Sequence, residues 1–539
     1  MRLNHDKQFL NILSAIIRSK KELSNMRNID LLLTNGRIYS MEEDCPVYSW
    51  LAIKDGLIID AGNGEPPEII NAAESIDLGG KCVLPGMYDN HVNLVLAGIN
   101  SFSINLSHAE SLAEVLDIIS DKARNIFPGD LIRCVGYLES NLKERRYPTR
   151  QELDSCAPNN PVIVISVAHH CSAVNSLMLH RLALPYNLAG MEKGAGDVYS
   201  GYLTYQANVY ARNKLFSQMD DRLRTEAVGR VVKMAIAAGL TNLVTFEGGY
   251  ISHENHARYI IDHRSTFPID IKLFYQSSDL EKARRYNLEH VGGMFLDGTF
   301  TGRSAAISAN YLDAEGRGRL YFTQDDINSL VLQAHRAGFQ LTGHCDGDRA
   351  VEQIIAAYEY AQSKYPREGL RHRIEHCELF NDDLIKRAKE LNLILSMQPA
   401  YEHHWGGRDG MYQRSMGLLG MRTNPLRELL EAGLTIAGGS DYDITDINPW
   451  LGIHMAVNHP NRQSRITVAE AIKMYTIDGA YAVFEENVKG SLAPGKKGDL
   501  IILDKDPYET PSDSLKEVRV LTTIKEGNIL YHHDEIVEM

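Results

Sequence analysis

Two hydrophobic patterns divide the chain. Near both ends, short runs alternate apolar and polar residues and break at glycine turns: DLLLTNGRIYSM and WLAIKDGLIIDAG between Asn28 and about Cys82, then GSLAPGKKGDLIILDKDP and VRVLTTIKEGNILY. Asn-Gly and Asp-Gly favour tight hairpins because both residues tolerate positive φ, so each end predicts a small β unit. Between them, ten apolar runs alternate with helical stretches: CVLPGMYD, DLIRCVGYL, PVIVISVA, LTNLVTFE, IDIKLFY, GGMFLD, FQLTGHCD, LRHRIEH, LILSMQP and LTIAGGSD. That alternation predicts an α/β fold of parallel strands with crossover helices. Ten runs exceed what a closed eight-stranded barrel holds, so at least one lies outside it; the Gly- and Tyr-rich segment near 184–222 is the expected insertion. Ahead of all this, Phe9, Leu10, Leu13, Ile16 and Ile17 recur at helical spacing and predict an amphipathic helix over 1–27.

Polar residues fall at one end of the central runs. Asp89, His91, Glu247, His344, Glu375, His376, Gln398 and Asp441 stand at or just past a strand's carboxyl end, the rim where a parallel barrel builds its active site. His91, His344, His376 and Asp441, from four separate strand ends, make a plausible set of ligands for a divalent ion, zinc first and iron or manganese next. Such an ion activates water, and Asp441 can shuttle its proton. With 20 histidines in the chain, any single one is more often a packed or solvated residue than a ligand; the shared rim is what changes those odds.

Composition narrows the partners. At 539 residues the chain exceeds one ordinary core, and 44% apolar with 23% charged residues is ordinary globular usage. A net charge of −14 without a basic run argues against nucleic acid, whose binding needs clustered Lys and Arg. No run is long and apolar enough for a signal peptide or membrane span, and seven scattered cysteines without a C-x-x-C pair fit free thiols in a cytoplasmic protein. The spare N-terminal helix is expected to pack on the barrel or on a second subunit of a homodimer.

Eight ordered motifs add a family reading. VLPGMYDNHVNL, VAHHCSAVNS, FLDGTFTGRSAA, GHCDGDRAVEQIIAAYE, RHRIEHCELF, LSMQPAYEHHWGG, GGSDYDITDINPW and KGSLAPGKKGDLIILDKDP resemble those of the amidohydrolase superfamily, in the branch of the N-substituted formamide deformylases. The similarity runs from about Asp30 to Gly527. It implies a distorted (β/α)8 barrel over 85–484 with a composite β-sandwich from 28–84 and 485–539. It also implies a hydrolase that cuts a non-peptide C–N bond of a small molecule by metal-activated water. The same four residues, His91, His344, His376 and Asp441, match its metal positions, with Glu375 orienting a histidine and Asp348 and Arg349 bracing a loop.

Two departures stand out. The first strand of the superfamily ends in His-x-His, but here Asn93 follows His91, and a neutral amide is a weak ligand. The position of a bridging carboxylated lysine holds Gly293. One ion is therefore the simpler expectation, with Glu247 as either a substitute ligand or a loop-bracing or substrate-contacting acid. His170, Arg303, His403, His404, Trp405 and Tyr442 are expected to line the substrate pocket, Arg303 gripping an anionic group. The altered ligands leave two other readings open: a non-hydrolytic metalloenzyme such as a decarboxylase, lyase or redox enzyme, or a catalytically silent binding protein.

Overall fold

The computed structural model describes residues 27–167, 169, 171–185, 187–193, 199–249 and 253–533. The helix expected over 1–27 lies outside them, except that Arg27 opens a strand. Eight of the ten central runs supply an eight-stranded parallel sheet: β1 (Met87–Val92), β2 (Leu240–Glu247), β3 (Asp270–Tyr275), β4 (His290–Phe295), β5 (Gln340–Cys345), β6 (Arg373–His376), β7 (Ile394–Met397) and β8 (Thr435–Gly438). They lie side by side in chain order, and a parallel bridge from Val92 to Tyr442 brings the two edges together. Strands such as LTNLVTFE and QLTGHC are buried at every position. Helices cover one face of such a barrel and its own interior fills the other, which is why these runs are apolar throughout rather than alternating.

The other two runs, DLIRCVGYL and PVIVISVA, belong to a side sheet. Its order is Met191–Lys193, Tyr199–Leu203, Ser172–Val174, Val162–Ser166, Ile132–Tyr137, Ile104–Asn105. This layer is much wider than the 184–222 segment, because apolar runs inserted after β1 read the same as barrel strands. Val162 and Val164 pack with Val115 and Ile119 on one face, while Ile163 and Ile165 pack with Met178, Ala207 and Ala211 on the other.

The chain divides into two compact units, one made of residues up to Tyr88, Ile236–Thr241 and Val468 onward, the other of Asp89–Ala235 and Asn242–Thr467. In the first, both chain ends share one sheet: Leu500–Leu503 runs antiparallel to Cys82–Pro85, with Ile501 opposite Leu84. A four-stranded sheet containing Arg27–Thr34 packs on it through Leu31, Leu33, Ile53, Val83, Leu500 and Ile502.

At the amino ends of the barrel strands, His372 Nδ1 accepts from Leu341 N at 3.1 Å, and its Nε2 lies 3.0 Å from His335 Nδ1. Burial, then the charge of His335, pushes His372 down to about 3. An unfolded histidine titrates near pH ~6.5, so below that the unfolded chain takes up a proton that the folded one refuses. The stabilisation is complete above ~6.5 and falls as the pH drops toward 3. His372→Gln is therefore expected to lose less melting temperature than the wild type between pH 7 and 5; equal losses in calorimetry would contradict this.

Candidate active site

The site is built on the carboxyl ends of the barrel strands. His344, Asp346 and His376 each offer a ligand atom, and the three atoms lie within 4.8 Å of one another, all buried. His344 and Asp346 sit at i and i+2 at the end of β5, so an extended backbone points both to one side. Asp346 N donates to Asp297 Oδ1 at 3.1 Å, and Gly347 N and Ala306 N donate to Asp297 Oδ2, so Asp297 shapes the turn that carries Asp346. Asp346 Oδ1 is buried with no hydrogen-bond partner, 3.7 Å from His344 Nε2. Burial, then the charge of Glu378, raises Asp346 well above the usual carboxylate range.

His91 and Asp441 complete the floor. The rings of His91 and His344 lie 4.6 and 4.5 Å from that of His376. His91 Nδ1 donates to Glu375 Oε2 at 2.7 Å, and its Nε2 faces Asp441 Oδ1 at 3.6 Å. His376 Nδ1 donates to Gln398 Oε1 at 2.8 Å, freeing Nε2. Burial disfavours a charge on His91, but Glu375 and Asp441 outweigh it and raise its pKa; His376, buried beside two other imidazoles, is pushed well below the usual value. His376 and Asp441 both adopt positive φ, 66° and 51°, a backbone region that non-glycine residues enter where tertiary structure enforces it.

Behind His91 the support is ionic. Arg373 donates from Nε and Nη2 to the two oxygens of Glu375, both groups fully buried, and Thr342 Oγ1 donates to Oε1. Arg373 also lies 4.6 Å from the Phe274 ring centre, and Phe246 stacks on His91 at 4.3 Å. Burial alone would raise Glu375, yet Arg373 and His91 hold it far below its ordinary value. Asp441 is pushed up to about 6 by burial, held back by His91 and by the Tyr401 hydroxyl that donates to its Oδ2 at 2.5 Å.

Several sequence expectations need correction. Glu247 accepts from Val95 N at 2.7 Å in the first turn of the helix Leu94–Asn100 and stands 3.9 Å from His256, so it braces that helix and does not join the ligand group. Asn93 lines the cavity as the residue that precedes the first turn of the same helix. Arg303 is at the cavity wall, but its guanidinium is committed to Asp313 at 2.6 and 2.8 Å and to the carbonyls of Phe300 and Thr301. His403 and His404 are exposed and outside the cavity, whereas Trp405 and Tyr442 line it. His170 lies outside the described residues. Asp89 receives Ser440 N and His91 N, pinning the two strand ends together, and Asp348 accepts from Ser308 N and braces a loop.

Gly293 explains the missing lysine. Its φ is +79°, beside a register shift between Gly292 and Met294, and a Cβ there would meet Phe246 at 2.7 Å. The sequence reading overlooked Asp346, Asp297, Tyr401 and Glu378. For Asp346 a signal existed, the His-x-Asp spacing at a strand end; Asp297 and Glu378 come from loops whose path the sequence does not fix, and Tyr401 opens the short helix Tyr401–Trp405.

The cavity around these groups measures about 1130 Å³ and reaches from His344 and Asp441 to Tyr137 and Tyr202 of the side sheet and to Tyr147 in the loop beside them. Among the described residues no helix is long and apolar enough to cross a membrane.

The profile of the Amidohydrolase family matches residues 74–531. The N-substituted formamide deformylase of Arthrobacter pascens is 26% identical over 94% of this chain and 99% of its own. An imidazolonepropionase of Porphyromonas gingivalis is 34% identical over 92% of each. An uncharacterized metal-dependent hydrolase of Pyrococcus furiosus superposes with a TM-score of 0.70 at 23% identity, covering 89% of this chain and 100% of that one.

Proposed function

Since this chain belongs to the Amidohydrolase family, a family of metal-dependent hydrolases, we propose that it cleaves an amide-like, non-peptide C–N bond of a small molecule, with formamides the first class to try. The relative named a formamide deformylase matches nearly end to end and supports that choice. The observation that carries the reading is the buried group His344, Asp346 and His376, where Asp346 Oδ1 has no other partner. Two imidazoles and a carboxylate are donors suited to a borderline divalent ion, zinc above all, with iron and manganese as the other options. His91 and Asp441 adjoin the group and can join it; binding through His91 Nε2 displaces the proton that its surroundings otherwise favour.

When bound, the ion supplies Lewis acidity toward the carbonyl oxygen and acidifies water. The remaining work falls to side chains. Glu375 and Gln398 fix the rings of His91 and His376 through their Nδ1 atoms. Tyr401 holds Asp441 by Oδ2, leaving Oδ1 to take a proton from the attacking water and return it to the departing nitrogen. The balance is simple: OH adds to the carbonyl carbon, the C–N bond breaks, and the proton goes to nitrogen, giving an acid and an amine.

Metal analysis of the purified protein by plasma mass spectrometry, with amine release from a panel of formamides and amides, tests the reading. About one ion per chain is expected, lost in His376→Ala and in Asp346→Ala together with activity. Variants that keep their metal, or a metal-loaded wild type that releases no amine from any of the panel, would overturn it.

A further inference from the structure

The helix Tyr205–Ser217 in the side layer has two working faces. Ala207, Ala211 and Leu215 recur every four residues and pack with Ile163 and Ile165 of the side sheet. Thr204, Asn208 and Arg212 repeat the same spacing one position on, turned by about 100° around the axis, and line the cavity that holds His344, Asp346 and His376. Asn208 is engaged internally, accepting from Ser172 Oγ and donating to the His169 carbonyl. Arg212 is not.

Its side chain is 9% exposed, its Nε is buried without a hydrogen-bond partner, and among the described residues no ion pair reaches its guanidinium. Burial, with no carboxylate near enough to offset it, pushes Arg212 down to about 10. Acids do line the same cavity, but Asp443 is held by both oxygens to Asn100 Nδ2, and Glu139 lies among the tyrosines. A buried, unpaired cation is costly, and a cavity-facing one gains most from an anion that arrives with the ligand. The planar fork of arginine matches the two oxygens of a carboxylate. Arg317 and Arg319, exposed along the same cavity, add a field that attracts such an anion.

On the hydrolytic reading above, we propose that the substrate is an amide bearing a carboxylate, and that Arg212 binds that carboxylate. Arg303, tied to Asp313, is thereby relieved of the anion-gripping role that the sequence suggested. Tyr137, Tyr147 and Tyr202, with successive ring centres 4.7 and 4.9 Å apart, offer an aromatic wall to the rest of the molecule.

The test uses matched probes on the metal-loaded full chain: N-formylphenylalanine against N-formylphenethylamine, and N-formylleucine against N-formylisoamylamine. Within each pair only the carboxylate differs. The wild type is expected to favour the carboxylate member by about a hundredfold in kcat/KM, a preference that collapses in Arg212→Gln and partly returns in Arg212→Lys. Metal content and thermal melting check that the variants are folded. Equal use of both members by the wild type, or a preference that survives Arg212→Gln, overturns the assignment while leaving hydrolysis standing. If no probe is turned over, the hydrolytic reading fails for these amides and binding decides on Arg212. Carboxylate probes should then raise the melting temperature of the wild type and not of Arg212→Gln, and no rise in the wild type overturns the proposal.

Discussion

Asp441→Asn is expected to lower kcat by about a thousandfold with little change in KM. The substitution keeps the size of the side chain, and its amide can still receive the Tyr401 hydroxyl, so the pocket shape survives. What disappears is a base. Asp441 is buried and pushed up to about 6, close enough to neutrality for its carboxylate to accept a proton and give it back within one turnover. An amide cannot do this at any pH. Steady-state kinetics with metal content measured in parallel separates the alternatives: a variant that retains its ion but loses kcat supports the proton relay, while one that loses ion and activity together makes Asp441 chiefly a ligand. A variant that keeps full kcat removes it from the chemistry.

Glu375→Gln should do more harm to the fold than any other isosteric change at the site. Glu375 neutralises Arg373 inside the barrel, where both side chains are fully buried, and also anchors Thr342 and His91. Removing one partner of a buried pair leaves an uncompensated charge and costs about 3–5 kcal/mol. The same change frees the His91 ring, for which the loss of an orienting carboxylate corresponds to about 10–100-fold in metal affinity. Denaturant unfolding of the metal-free protein isolates the first effect, and competition against a chelator the second. A midpoint unchanged from wild type would contradict the account of the Arg373–Glu375 pair.

The barrel was legible because its strands are apolar runs that end in polar residues, a pattern set by local chemistry. Those runs did not say which strands belong to one sheet: Val162–Ser166, apolar on both faces, reads like a barrel strand and lies in the side sheet. At the site, His91, His344, His376 and Asp441 were singled out because strand ends place them, and their side chains lie next to one another. Glu247 was ambiguous for a physical reason, since a rim acid can face the mouth or a neighbouring helix start, and the sequence does not choose. Arg303 and Arg212 show the same limit in reverse. Both are arginines on inserted segments, and only the acids around them, Asp313 beside one and none beside the other, decide which guanidinium is open.

The antiparallel pairing of Leu500–Leu503 with Cys82–Pro85 also bears on how the chain is made. During synthesis the N-terminal strands leave the ribosome long before their partner exists, so Leu31, Leu33 and Val83 wait with an apolar face uncovered until Leu500–Leu503 is translated. Pairing across so great a sequence distance is slow, so this sheet closes only after the barrel strands, which can assemble in order. A stop codon ahead of Leu500 would therefore leave the beginning of the chain, not its end, as the segment most prone to aggregate.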